Sequence, residues 1–170
     1  MSDFLGIKIE QRPPNEFYLS KARLIDKVLK VTGIPDYNTN YTLSGLEPLG
    51  PDKEGIPMDE IWKYVSIIGM LMYLVNNLRP DIAHTVYTCT RYTHNRKKSH
   101  ATSVKHILKY LEWTYDKELV LKPNKKQALD YYVDSNLAEN YCHYDYQDPT
   151  STKYRTGYCI LYQWCQILWV

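Results

Sequence analysis

After an N-terminal hairpin, the hydrophobic pattern of this chain is helical until near Lys117 and strand-like beyond it, and that change limits what each part can form. Before it, apolar residues recur at helical spacing. Ile61, Val65, Ile68 and Met72 mark one stripe; Ile82, Val86 and Cys89 mark a second; Val104, Ile107, Leu108 and Leu111 mark a third. After it, apolar residues gather in short runs at 119–121, 128–133, 158–161 and 166–170, each of strand length. The expectation is an α+β chain: a β-hairpin and helices first, an antiparallel sheet last.

Punctuation refines this layout. Phe4-Leu5-Gly6-Ile7-Lys8-Ile9-Glu10 reads as one strand, Arg12-Pro13-Pro14-Asn15-Glu16 as a turn, and Phe17-Tyr18-Leu19 as the returning strand of a hairpin. Ser20 is placed to cap a helix with Ile25, Val28 and Leu29 on one face and Gly33 as its stop. Residues 34–57 lack a period and read as a long linker loop. A second helix is expected from about Met58 to just before Arg79-Pro80, because proline disfavours helix at the residue before it. Pro80 is then suited to open a third helix. Residues 94–100 form a basic connector, and a fourth helix runs from Ala101 to about Trp113. Trp62 and Trp113 are expected as core anchors, Trp164 and Trp169 as strand-face packing residues. The segments are therefore 1–33, 34–57, 58–117 and 118–170.

Bulk properties exclude several classes. At 170 residues with a 44% hydrophobic fraction, the chain can bury a core and is not of disordered composition. Its 17 tyrosines against 2 phenylalanines suit half-wetted sheets and grooves, although base composition of the gene accounts for them equally. A net charge of +2 does not by itself point to nucleic acid. Cys89, Cys142, Cys159 and Cys165 lack paired metal-ligand spacing and read as free thiols; Cys142-His143 stands alone. The N-terminus does not resemble a signal peptide, and the apolar run at 67–75 is too short to span a bilayer. A soluble intracellular protein, cytoplasmic or nuclear and without a membrane partner, is expected.

Tyr131-Tyr132-Val133-Asp134-Ser135-Asn136 carries the strongest chemical hint. A Tyr-Val-Asp run at a strand end serves two metal-dependent chemistries: template-directed polymerisation, with a second Asp following at once, and ribonuclease H-type hydrolysis, where it supplies the first of several carboxylates. Neither works with one carboxylate.

Leu71-Met72-Tyr73-Leu74 followed by Leu78-Arg79-Pro80-Asp81-Ile82-Ala83 resembles the Pol polyprotein of copia-type LTR retrotransposons, in the region joining reverse transcriptase to ribonuclease H. Phe4-Leu5-Gly6-Ile7 resembles the primer-grip strand, and Leu19-Ser20-Lys21 the lead into the thumb. Lys105-His106-Ile107-Leu108-Lys109-Tyr110-Leu111 resembles the family's Arg-Ile-Leu-Arg-Tyr-Leu helix. Tyr132-Val133-Asp134-Ser135 resembles the opening ribonuclease H strand, and Thr156-Gly157-Tyr158 its Thr-Ser-Gly-Tyr motif. These landmarks fall in family order over essentially the whole chain. Leu78 replaces the usual Thr, while Asn136, Leu137 and Glu139 stand where Asp, Trp and Gly are common, as in a divergent copy.

The resemblance implies a primer-grip hairpin and thumb-like helix at 1–33, a helical connection at 58–117, and an incomplete ribonuclease H-like antiparallel sheet at 118–170. In family order the polymerase carboxylates precede Phe4, so Asp134 matches the first ribonuclease H carboxylate. That chemistry uses two divalent metals, Mg²⁺ in the parent enzyme, held by several converging carboxylates. The family's next ligand falls beyond the last strand here, so no tight metal binding and no hydrolysis are expected of this fragment. Asp145 and Asp148 match no family ligand and read as solvated loop acids. Phe4, Leu5 and Gly6 are candidate nucleic-acid contacts. So are Arg96, Lys97, Lys98 and His100 with Lys105 and Lys109, which share a helix face. A merely solvated face is the plain alternative for these lysines. The implied partners are an RNA–DNA hybrid or duplex and the remainder of the Pol polyprotein. The rival reading is a non-catalytic nucleic-acid-binding or interaction module, or a relic.

Overall fold

The computed structural model describes residues 2–33, 42–43, 49–58, 63–124, 128–136 and 155–169. It is α+β, as expected. The chain divides into two compact units, one of Met1–Pro13 with Phe17–Val120, the other of Pro14–Glu16 with Leu121–Val170.

The N-terminal strand differs from its expectation. Instead of one strand over 4–10, β1 (Ser2–Phe4) and β2 (Ile7–Arg12) pair antiparallel across a two-residue turn at Leu5-Gly6. Both turn residues take the left-handed conformation, Leu5 with φ 51° and Gly6 with φ 74°. Two successive positive φ angles match the right-handed twist of the flanking strands. β3 (Glu16–Ser20) follows, and β4 (Leu119–Leu121) completes a sheet of order β1-β2-β3-β4. Ser20 therefore ends a strand rather than capping a helix.

Helix α1 (Ala22–Thr32) begins after Lys21 without a side-chain cap and stops at Gly33, whose left-handed φ of 61° lets its N–H reach the Leu29 carbonyl. Helix α2 (Tyr64–Asn77) ends as expected before Arg79-Pro80. Pro80 opens a single 3₁₀ turn (Pro80–Ile82) that runs into α3 (Ala83–Thr90). Helix α4 (Lys98–Trp113) starts three residues earlier than expected, so the basic connector supplies its first turn. Met58 is not helical; its N–H donates to the Arg96 carbonyl. Residues 59–62, including Ile61 and Trp62, lie outside the described residues.

The helices share one core. Ile25 and Val28 of α1, the inward faces of α2 and α3, Ile82, and Ala101, Val104, Ile107, Leu108 and Leu111 of α4 form a contiguous buried cluster. Each fully buried aliphatic side chain contributes about 1.5–3 kcal/mol. The α2 stripe is displaced from its expectation. Tyr64, Ile67, Ile68, Leu71, Leu74 and Val75 face inward, while Val65 is 56% exposed. The Tyr64 hydroxyl is buried and donates to the Cys89 carbonyl at 3.0 Å, which fixes α2 against α3. Trp113 is 48% exposed and is no core anchor.

The second unit carries an antiparallel sheet of order β5-β6-β7, formed by β5 (Leu129–Asn136), β6 (Arg155–Tyr162) and β7 (Cys165–Trp169). Tyr132 pairs with Cys159 and Asp134 with Gly157, and the β6–β7 register shifts at Ile160/Leu161. Trp169 is buried, whereas Trp164 sits exposed in the β6–β7 turn with a positive φ, not on a strand face. Cys89, Cys159 and Cys165 are free thiols. Among the described residues no helix is long and apolar enough to cross a membrane.

Candidate nucleic-acid interface

The basic stretch is built by docking the segment Leu49–Met58 against the start of α4. The Lys98 N–H donates to the Ile56 carbonyl at 2.9 Å, Pro57 bridges Lys97, and the Ser99 hydroxyl donates to Asp52. His100 sits at the centre of this docking and is fully buried, so it is no phosphate ligand. Its Nδ1 accepts the Lys97 N–H at 2.9 Å, and its Nε2 lies 2.9 Å from the Gly50 carbonyl. A carbonyl only accepts and an N–H only donates, so the ring is neutral with its proton on Nε2. The ring also stacks on Tyr92 with centroids 4.2 Å apart. His100 thus fills the role of a capping-box Glu or Gln at the third helical position.

With Lys97 and His100 fixing the first turn, the helical repeat sets the rest. Lys98, Lys105 and Lys109 fall within about 40° of one another around the axis, on a flank of the helix about 80–140° from Val104, Leu108 and Leu111. They span about 17 Å along it. Lys98 is exposed; Lys105 and Lys109 are half-buried. Arg96 is exposed and donates to the Thr93 carbonyl. The arrangement is a cationic stripe about five phosphate spacings long on one strand.

The second element is the hairpin tip. Phe4 and Leu5 are 64% and 73% exposed. Holding Leu5 left-handed costs on the order of 1–2 kcal/mol. Asp3 accepts the Gly6 N–H at 3.1 Å across the turn. The Leu5 carbonyl accepts from Lys21 Nζ at 2.8 Å and from the Tyr73 hydroxyl at 3.4 Å. Lys21 in turn lies 3.8 Å over the Tyr73 ring. A Cβ on Gly6 would meet Lys21 Nζ at 3.4 Å. Neither Lys21 nor Tyr73 stands out in the sequence as a partner of this turn; only folding brings them to it.

Arg79 and Asp81 of the Arg-Pro-Asp run serve the framework. Arg79 donates twice to Asp81 and also to the carbonyl and hydroxyl of Thr114. Asp81 accepts further from Tyr110 and Lys117. Burial pushes the Asp81 carboxyl up, but Arg79 and Lys117 together outweigh it and hold it at about 2. Burial likewise pushes the Cys89 thiol up to about 12, so it is no nucleophile.

Asp134 lies exposed in the second unit, across the ladder from Gly157. Asp130 shares its face but sits four residues away, about 13 Å along the strand, too far to share an ion. Among the described residues no three His, Cys, Asp or Glu side chains converge. These residues do not fit a divalent site of the kind the resemblance implies. Leu137, Glu139, Cys142, His143, Asp145 and Asp148 lie outside the described residues.

Comparison with known proteins gives one consistent answer. The chain is 30% identical over 172 residues to the Pol polyprotein of transposon TNT 1-94 of Nicotiana tabacum, covering 97% of this chain and 12% of the relative. It is 29% identical over 135 residues to that of transposon RE2 of Arabidopsis thaliana, covering 79% and 9%. It is 28% identical over 134 residues to a Ty5-1 transposon protein of Saccharomyces cerevisiae, covering 78% and 43%. The chain thus spans less than half of each of these curated relatives. No family model and no solved structure matches. The chain belongs to the Pol polyproteins of retrotransposons, of which it represents one stretch.

Proposed function

We propose that this chain is the copia-type junction of reverse transcriptase and ribonuclease H, and that its own task is to hold an RNA–DNA hybrid or duplex for the parent Pol polyprotein, inside the cell. The cationic stripe Lys98, Lys105 and Lys109 carries the reading, because it aligns three cations along one flank of α4, beside the buried face. Arg96 and Lys97 extend it at the start of the helix. Lysines so placed neutralise successive phosphates and give sequence-independent, salt-sensitive affinity. The landmark order supports the regional assignment: hairpin, thumb-like helix, connection helices, then a Tyr-Val-Asp strand.

On this reading Asp134 is an inherited metal ligand, and the 170-residue chain binds hybrid without cleaving it. Two-metal hydrolysis needs several convergent carboxylates, and the only other acid on its face within β5, Asp130, lies too far along the strand. Mg²⁺ belongs to the parent enzyme.

The test is binding of a fluorescent RNA–DNA hybrid to the recombinant chain across a salt series. The expected result is an affinity that falls steeply with salt, with Lys105→Ala/Lys109→Ala flattening the slope by about 0.9 for each phosphate no longer neutralised. An unchanged slope in the double variant would remove the stripe from the interface. Absence of binding at low salt would leave a relic without this task.

A further inference from the structure

We infer that Lys21 and Tyr73 are positioning residues for the hairpin tip: they hold Leu5 in its left-handed turn so that Phe4 and Leu5 face outward against a nucleic-acid strand. This rests on the hybrid-binding reading above.

Three observations converge at this point. A leucine takes a conformation that glycine or asparagine would adopt without strain, and such strain persists only where surrounding groups impose it. The imposing groups are present: both donors meet on the Leu5 carbonyl, and the Lys21–Tyr73 stack fixes each against the other. The strain serves no packing purpose, since the Leu5 side chain is 73% exposed. Beside the tip, a cleft of about 370 Å³ offers the cations Lys8 and Arg23, with Asp3 also at its wall. An outward apolar pair next to cations suits a ligand with apolar sugar and base surface joined to anionic phosphate. Tyr73 comes from α2, so the clamp ties the hairpin to the helical core 68 residues later in the chain.

The experiment is a double-mutant cycle on hybrid binding, read together with thermal unfolding, in the full chain. Leu5→Gly relieves the backbone strain and should raise Tm by about 3 °C. It should also weaken hybrid binding by about 5-fold, because its apolar surface no longer meets the strand. Lys21→Met and Tyr73→Phe should each weaken binding in the parent chain, with little further loss in the Leu5→Gly background. The salt slope should not change for Tyr73→Phe. Additive losses in the cycle, with a shallower salt slope for Lys21→Met, would make Lys21 a direct phosphate ligand and overturn the positioning role. Unchanged affinity in Leu5→Gly would remove the tip from the interface and overturn it equally. A parent chain that binds no hybrid at low salt defeats the hybrid-binding reading itself, and this inference with it.

Discussion

Arg79 grips Asp81 from two residues away, with its Nε and one terminal nitrogen each 3.0 Å from a different carboxylate oxygen. Pro80 between them makes the geometry possible. It ends α2, fixes its own φ, and starts the 3₁₀ turn that swings Asp81 back toward the guanidinium. Arg79 is only 3% exposed and also donates to the carbonyl and the hydroxyl of Thr114, at the far end of α4. The Arg-Pro-Asp run is therefore a fastener between the α2–α3 corner and the end of α4.

Removing one partner leaves the other charge buried and uncompensated. Arg79→Ala should destabilise the first unit by about 3 kcal/mol, measured by denaturant unfolding. Arg79→Lys should recover little of this, because a lysine cannot donate to both carboxylate oxygens and to Thr114 together. Full recovery by lysine would reduce the fastener to a simple charge effect.

The same carboxylate sets an acid dependence. Asp81 is held at about 2 against an ordinary 3.8, so folding favours its ionised form. Its contribution is complete above the ordinary value and fades as pH falls toward 2. Asp81→Asn should accordingly cost stability at neutral pH and much less near pH 2, read as converging Tm values on acidification. A constant gap between the two proteins across that range would show that the charge is not what matters.

His100 presents the opposite case, a neutral ring used on both sides. His100→Ala should cost about 2 kcal/mol, from the lost cap on Lys97 and the unsatisfied Gly50 carbonyl. His100→Gln should restore the cap, because a side-chain carbonyl at this position accepts the same N–H. Hydrogen exchange at Lys97 and across residues 49–58 separates the two effects: protection at Lys97 should return in the glutamine variant. Unaltered exchange in His100→Ala would mean that the segment is held by its other bonds alone.

Much of this framework is legible in the sequence, and the failures share a cause. Arg79-Pro80, Gly33 and the α4 stripe act locally, through proline and glycine chemistry and helical period, so they can be read without a partner in view. The α2 stripe is ambiguous because Val65, Ile67 and Ile68 offer overlapping apolar faces; packing of Tyr64 against Cys89 decides between them. His100 reads as one more basic residue until Gly50 arrives from 50 positions away. The turn at Leu5-Gly6 is hidden for the same reason. Leucine disfavours it locally, and the groups that impose it come from α2 and from the residue before α1. Trp113 looks like an anchor by composition, yet the helical repeat places it outside the buried stripe.

Exposed apolar surface marks the second unit. Leu129, Tyr131 and Val133 alternate with Asp130, Tyr132 and Asp134 along β5, and the first set shares a face with Tyr158, Ile160 and Tyr162 of β6. Tyr131 and Val133 are 76% and 64% exposed. Among the described residues β5 forms an edge of its sheet. An apolar sheet face beside such an edge promotes association. Val133→Lys, a charge on that face beside the edge, should lower concentration-dependent association in light scattering without changing unfolding of the first unit. Equal association in the variant would place the sticky surface elsewhere.

Asp134 provides the sharpest check on the catalytic side. Its carboxylate is exposed, its neighbour across the ladder is Gly157, and Asp130 lies about 13 Å away along the same face. One carboxylate in water binds Mg²⁺ weakly, since that ion keeps its own waters unless several ligands and phosphate oxygens converge. The recombinant chain should therefore leave an RNA–DNA hybrid intact in the presence of Mg²⁺, and Asp134→Asn should change neither hybrid affinity nor Tm beyond about 0.5 kcal/mol, as for a surface substitution. If the parent chain instead cleaves the hybrid and Asp134→Asn abolishes cleavage, the further ligands come from residues outside those described or from a second copy of the chain. Mixing Asp134→Asn with a chain mutated at Asp145 and Asp148 then distinguishes these sources. Where the Asp145/Asp148 variant is also inactive alone, restored cleavage in the mixture requires ligands shared between copies, and its absence places them within one chain.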